Sequence, residues 1–126
     1  MPLPIQIEVD GIRLRAELND TPCARAVAQR LPIEAEPDTW GDEFHFGIEL
    51  SHPLEKGAAE EVEIGEIGYW PPGQAIAIFF GPTPASSGST PVAASPVNRI
   101  GRILDDATSL RSIRGARSIR ISRAEG

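Results

Sequence analysis

The sequence has little of what usually marks a catalytic or membrane protein. It holds one cysteine, Cys23, so no internal disulfide can form, which fits a cytoplasmic location. No run of about 18 apolar residues occurs, which excludes a membrane-spanning helix. Residues 1–6 lack a basic segment followed by an apolar stretch, so no signal peptide is expected. There is no Gly-x-Ser-x-Gly elbow and no phosphate-cradling glycine loop. Gly65-x-x-Gly68 is too short and too common to carry meaning alone. Aromatic residues are only 6% of the chain.

Metal ligands are equally sparse. His45, Glu49 and His52 form the one set worth weighing. Four residues of strand span about 13 Å, so His45 and Glu49 cannot share an ion on a straight strand. Zinc needs three or four converging ligands. No metal site and no cofactor are expected. Cys23 falls on the apolar stripe of a helix and reads as a small core residue.

What is present is a chain of 126 residues, 40% hydrophobic, long enough for one domain over 1–126 with a real core. The net charge is −6 and the pI about 4.9, which argues against nonspecific nucleic-acid binding. Arg111, Arg114, Arg117, Arg120 and Arg123 recur every third residue. That segment crosses from helix to turn to strand, so they form no single stripe. No nucleic-acid partner and no membrane partner is expected.

The organisation is mainly β. Leu3, Ile5, Ile7 and Val9 alternate with polar neighbours, then Asp10-Gly11, then Ile12, Leu14, Ala16 and Leu18. Two period-two runs about Asp-Gly predict a hairpin. Asp20 or Thr21 can cap a helix with Pro22 in its first turn. Cys23, Val27 and Leu31 make its apolar stripe, and Pro32 ends it. A short extended piece is expected over 33–36. A strand is expected over 43–50, with Phe44, Phe46, Ile48 and Leu50 on one face and Glu43, His45, Gly47 and Glu49 on the other.

Further strands are expected near 62–64 and 67–70, followed by a Pro71-Pro72-Gly73 turn. The strand 74–80 is apolar on both faces, which means full burial or a site along it. Residues 81–96, rich in proline, serine and glycine, read as a long flexible loop. A strand over 97–104, a short helix over 106–113 and a strand over 116–122 complete the chain.

The order of these elements resembles the cyclophilins. Phe44-His45-Phe46 is similar to their Phe-His-Arg strand, and Ile76-Ala77-Ile78-Phe79-Phe80 to the strand carrying Gln-Phe-Phe. Val97-Asn98-Arg99-Ile100-Gly101-Arg102-Ile103 is similar to a later strand that also precedes a short helix. The block Gly65-Glu66-Ile67-Gly68-Tyr69-Trp70-Pro71-Pro72-Gly73, with Phe80-Gly81-Pro82-Thr83-Pro84, is the more specific match. It resembles small stand-alone prokaryotic cyclophilin-like proteins. The resemblance implies a closed antiparallel barrel of about eight strands with two short helices.

The resemblance also marks where a prolyl isomerase would keep its chemistry. Rotation about X-Pro crosses roughly 20 kcal/mol, and a donor aimed at the proline nitrogen lowers that barrier. The position of the family's arginine falls on Phe46, which has no donor. That of its glutamine falls on Ile78. The tryptophan and histidine positions fall near Val92 and Val97, and Ala-Asn on Trp70-Pro71. Only Phe80 survives among the matched pocket residues, so no catalytic residue is assigned. Arg99 and Arg102 are the candidates for a relocated donor.

The expectation is a noncatalytic binding module for a peptide or a small apolar ligand. Its site would use Phe46, Tyr69, Trp70, Phe80, Thr83 and Asn98, with His45 as a further polar group. The Trp70-Pro71-Pro72 turn should hold the indole in place. Two other readings are an isomerase with altered catalytic residues and an accessory protein whose aromatic patch forms a homo-oligomer interface.

Overall fold

The computed structural model describes residues 2–124. Its first hairpin forms as the alternation predicts. Strands β1 (Leu3–Val9) and β2 (Ile12–Leu18) pair antiparallel, Val9 opposite Ile12. Asp10 and Gly11 both take positive φ, 46° and 91°, as a two-residue hairpin turn matched to strand twist requires. Ile5, Ile7, Val9, Leu14, Ala16 and Leu18 are all buried on one face.

Helix α1 (Pro22–Ala28) is capped by Thr21, whose Oγ1 accepts from Ala24 N at 3.1 Å. Cys23 and Val27 are buried, whereas Leu31 lies beyond the helix end and is half-buried. The residue before a proline avoids the helical region, so the helix stops short of Pro32.

The remaining strands are β3 (Ile33–Ala35), β4 (Asp38–Thr39), β5 (Glu43–Gly47), β6 (Ala59–Glu61), β7 (Glu66–Trp70), β8 (Ala75–Phe79), β9 (Val92–Ile103) and β10 (Ile119–Arg123). Strand β5 ends at Gly47, short of residue 50, because Ile48 N turns to Gln74 O and Leu50 N folds back to Ile48 O. The strand expected over 62–64 lies earlier, at β6. Val62 is nonetheless buried, its N donating to Pro91 O.

The loop expected over 81–96 ends at Pro91, since β9 begins at Val92 and pairs there with Glu61 of β6. Residues 107–113 form a 3-10 helix, capped by Asp106, and a second 3-10 turn spans Pro71–Gly73. The last strand starts later than residue 116 because the Asp10 carboxylate takes Arg117 N and Ser118 N.

All pairs are antiparallel, in the order β3-β10-β1-β2-β9-β7-β8-β5-β4, with β6 on β9. The sheet is antiparallel as expected, but its hydrogen bonds do not close it into a barrel of about eight strands. The nine-stranded path is open, beginning at β3 and ending at β4, and no ladder joins those ends among the described residues. The sheet still curls around one core. Ile33 from one end of the path and Phe44 and Phe46 from the other belong to the same buried cluster. Side chains rather than hydrogen bonds bring the ends together. Among the described residues no helix is long and apolar enough to cross a membrane.

Candidate functional site

Strand β8 divides its residues between two surfaces. Ile76 and Ile78, with Phe80 just beyond, join the main core, whereas Ala77 and Phe79 join a smaller cluster with Val62, Ala93 and Val97 on the outer face. Of the two expectations for this strand, full burial is what the structure shows, with its residues divided between two clusters. The first half of β9 lies over the outer face, and a groove of about 200 Å³ opens at its edge.

The groove follows from register. On β5, Phe44 and Phe46 face the core, so Glu43, His45 and Gly47 must face out. Opposite them on β8 stand Phe79, Ala77 and Ala75, and beyond these on β7 come Gly68 and Trp70. The row His45–Ala77–Gly68 and the row Gly47–Ala75–Trp70 are therefore small in the middle. Ala93, Ala94 and Val97 of β9 form the far wall, and Trp40 closes the end beside Glu43. Gly68 is needed here, since a Cβ on it would meet Val97 Cγ2 at 2.8 Å.

Trp70 is the sequence-predicted site residue that the groove uses. Its indole lies against Gly73, where a Cβ would come within 2.6 Å of ring atom Cζ3. Its Nε1 donates to Ser95 Oγ at 2.5 Å. The Pro-Pro-Gly turn thus holds the ring as expected.

The other five predicted residues face elsewhere. Phe46 and Phe80 are buried in the main core, and Phe80 packs on Phe44 with ring centroids 4.7 Å apart. Tyr69 is fully buried and donates its hydroxyl to Leu50 O. Asn98, also fully buried, donates to Pro53 O and accepts from Glu55 N, so it moors residues 50–58 to β9. Thr83 clasps its own loop, donating to Val92 O and accepting from Ala85 N. Two positions marked by the family resemblance, Trp70 and Val97, line the groove, while Phe46 and Ile78 do not. Successive strand residues face opposite ways, so His45 faces the groove while Phe46 faces the core.

The groove's polar chemistry is Glu43 with His45. Glu43 is 6% exposed, and its Oε1 lies 2.8 Å from His45 Nδ1. Burial raises the Glu43 carboxyl above its ordinary value, against the His45 contact, which lowers it. His45 is more open, and its Nε2 is 3.9 Å from the exposed Asp38 carboxylate. Sequence reading placed His45 near the site but passed over Glu43 and Trp40. For Glu43 the signal was available, since both outward residues of β5 other than glycine are titratable; for Trp40 there was none.

A second cluster holds the turn that carries Trp40 and Glu43. Asp42 is buried, and its carboxylate pairs with Arg111 at 3.1 Å and with Arg114. Gly81 leaves the space it occupies, since a Cβ there would sit 2.2 Å from Asp42 Oδ2. Asp42 N donates to Pro82 O, and Phe80 N to Asp42 O. Arg99 is bound to Glu66 and Arg102 to Glu17, away from the groove. Among the described residues no cluster of histidine, cysteine and carboxylates could hold a metal ion.

A curled antiparallel sheet with this element order is the fold that the cyclophilin resemblance implies. The cyclophilin-like family matches residues 3–122, and the chain belongs to that family. A solution structure of a hypothetical protein from the archaeon Archaeoglobus fulgidus is similar to it at 34% identity, with a TM-score of 0.79. That match covers 98% of this chain and 95% of the archaeal one. No curated protein sequence matches the chain.

Proposed function

We propose that this protein is a noncatalytic binding module that takes a peptide or a small apolar ligand in the outer groove between Trp40 and Trp70. The observation that carries the reading is the lining. It is almost wholly apolar, its middle is built from alanines, and its polar groups are confined to Glu43 and His45. Binding sites are typically concave and apolar with a few placed polar groups. A volume of about 200 Å³ is small for a site, which points to a compact ligand or a single side chain.

Isomerase chemistry asks for a cationic donor on the groove, and no arginine or lysine lines it. A homo-oligomer interface asks for an exposed aromatic patch. The phenylalanines and Tyr69 are buried, which leaves Trp40 and Trp70 half-exposed.

The test is NMR on isotope-labelled protein with an X-Pro peptide and with small apolar ligands. Shifts confined to the Trp40 and Trp70 indoles, His45 and Ala77, without faster cis/trans exchange, are the expected result. Accelerated exchange would replace this reading with an isomerase. Shifts that follow protein concentration rather than ligand would replace it with self-association.

A further inference from the structure

The apolar groove does not explain why a carboxylate is buried in it. An ionised carboxylate in such a place is stabilised by donors, and Glu43 Oε2 is not among the atoms sealed off without a partner, so it is open to the groove. His45 supplies one, at Oε1. Among the described residues no side chain or backbone group donates to Oε2.

The surrounding charge is one-sided. Asp38 from β4 faces His45, and the groove's lining from β7, β8 and β9 is uncharged. Arg111 and Arg114, beside the turn that carries Trp40, are turned onto Asp42. Two tryptophans flank the space, and indole faces attract cations.

We infer that the groove recognises a primary ammonium group on a compact apolar body, with the ammonium donating to Glu43 Oε2 and the apolar part lying between Trp40 and Trp70. This rests on the binding reading above and specifies its ligand. A free aliphatic amine and the N-terminal residue of a peptide share this chemistry.

The charge balance sets the pH dependence. A cation favours ionised Glu43, whose carboxyl burial raises above its ordinary value. Affinity therefore rises as pH rises through the raised value of the Glu43 carboxyl.

The experiment is calorimetric titration of the whole protein, with indole NMR shifts as a second readout. The probes are 3-methylbutylamine, its neutral isostere 3-methylbutan-1-ol, and 4-methylpentanoate. The expected order is amine over alcohol by about tenfold or more, the scale of one charge-assisted hydrogen bond, with the carboxylate weakest. Glu43→Gln should remove the preference for the amine while leaving alcohol binding in place. The comparison of probes on the native protein stands even where that variant fails to fold.

Leu-Gly-Gly with a free or an acetylated N-terminus separates the two sources. If the free tripeptide binds more tightly than the amine, the source is a peptide end; if more weakly, a free amine. Equal affinity for amine and alcohol, or tighter binding of the carboxylate, overturns the inference and leaves the apolar groove standing. Silence of both indoles to every probe overturns the groove reading as well.

Discussion

Truncating Phe46 to alanine separates a core residue from a site residue. Phe46 is 3% exposed and belongs to the main cluster with Phe44, Phe80, Ile76 and Ile78. A phenylalanine buries about 150–250 Å² of mostly apolar surface, worth roughly 4–6 kcal/mol at about 25 cal/mol per Å². The compact unfolded chain reduces that figure, and phenylalanine-to-alanine changes in cores cost about 3–5 kcal/mol.

That is a large part of the roughly 5–15 kcal/mol that holds a domain together. The melting temperature should drop by roughly 10–25 °C at this chain length. Urea unfolding followed by circular dichroism reads the loss as a lower midpoint with an unchanged slope. Ligand affinity, measured where the variant is still folded, should be nearly unaffected. A loss below about 1 kcal/mol together with abolished binding would falsify the placement of Phe46 inside the sheet and return it to the groove. By the same reasoning Phe46→Arg buries an unpaired guanidinium and unfolds the protein, so it cannot restore isomerase chemistry.

Three further outcomes follow from particular contacts. Gly73→Ala should displace the Trp70 indole, because the added carbon would lie 2.6–2.7 Å from two ring atoms; the Trp70 indole resonance and ligand binding should change together, and an unmoved resonance would refute the contact. Asn98→Ala leaves Pro53 O and Glu55 N without their partner, at about 1–3 kcal/mol for each unsatisfied group, and hydrogen exchange should rise over residues 50–58 before elsewhere. The Glu43 carboxyl is raised in the folded state above its ordinary 4.5, so the stability it contributes is full below about that pH and is lost as pH rises through the folded value. Glu43→Gln has no such titration, so its melting temperature relative to the native protein should improve from about pH 4 to pH 8; a relative decline over that range would contradict the raised carboxyl.

The sequence by itself determined the local architecture. The Asp10-Gly11 hairpin, the helix entered at Pro22, the division of β5 into aromatic and polar faces and the clamping of Trp70 by its Pro-Pro-Gly turn are all readable, because period-two alternation and turn chemistry act over a few residues. Which face of β5 meets the core was not readable. Phe44 and Phe46 turn inward because β8 offers Ile76 and Ile78 on that side and Ala75, Ala77 and Phe79 on the other, and that pairing joins residues about 28–36 positions apart.

The open end of the sheet was not readable either, since closure depends on whether β3 and β4 come into register after the rest has curled. Tertiary structure likewise decided that Tyr69, Asn98 and Thr83 fasten loops while Glu43, His45 and Trp40 shape a groove. A polar residue's task depends on what lies across from it. Only the folded chain brings Glu43 and His45 of β5 together with Trp40 of the preceding turn and Trp70 of β7.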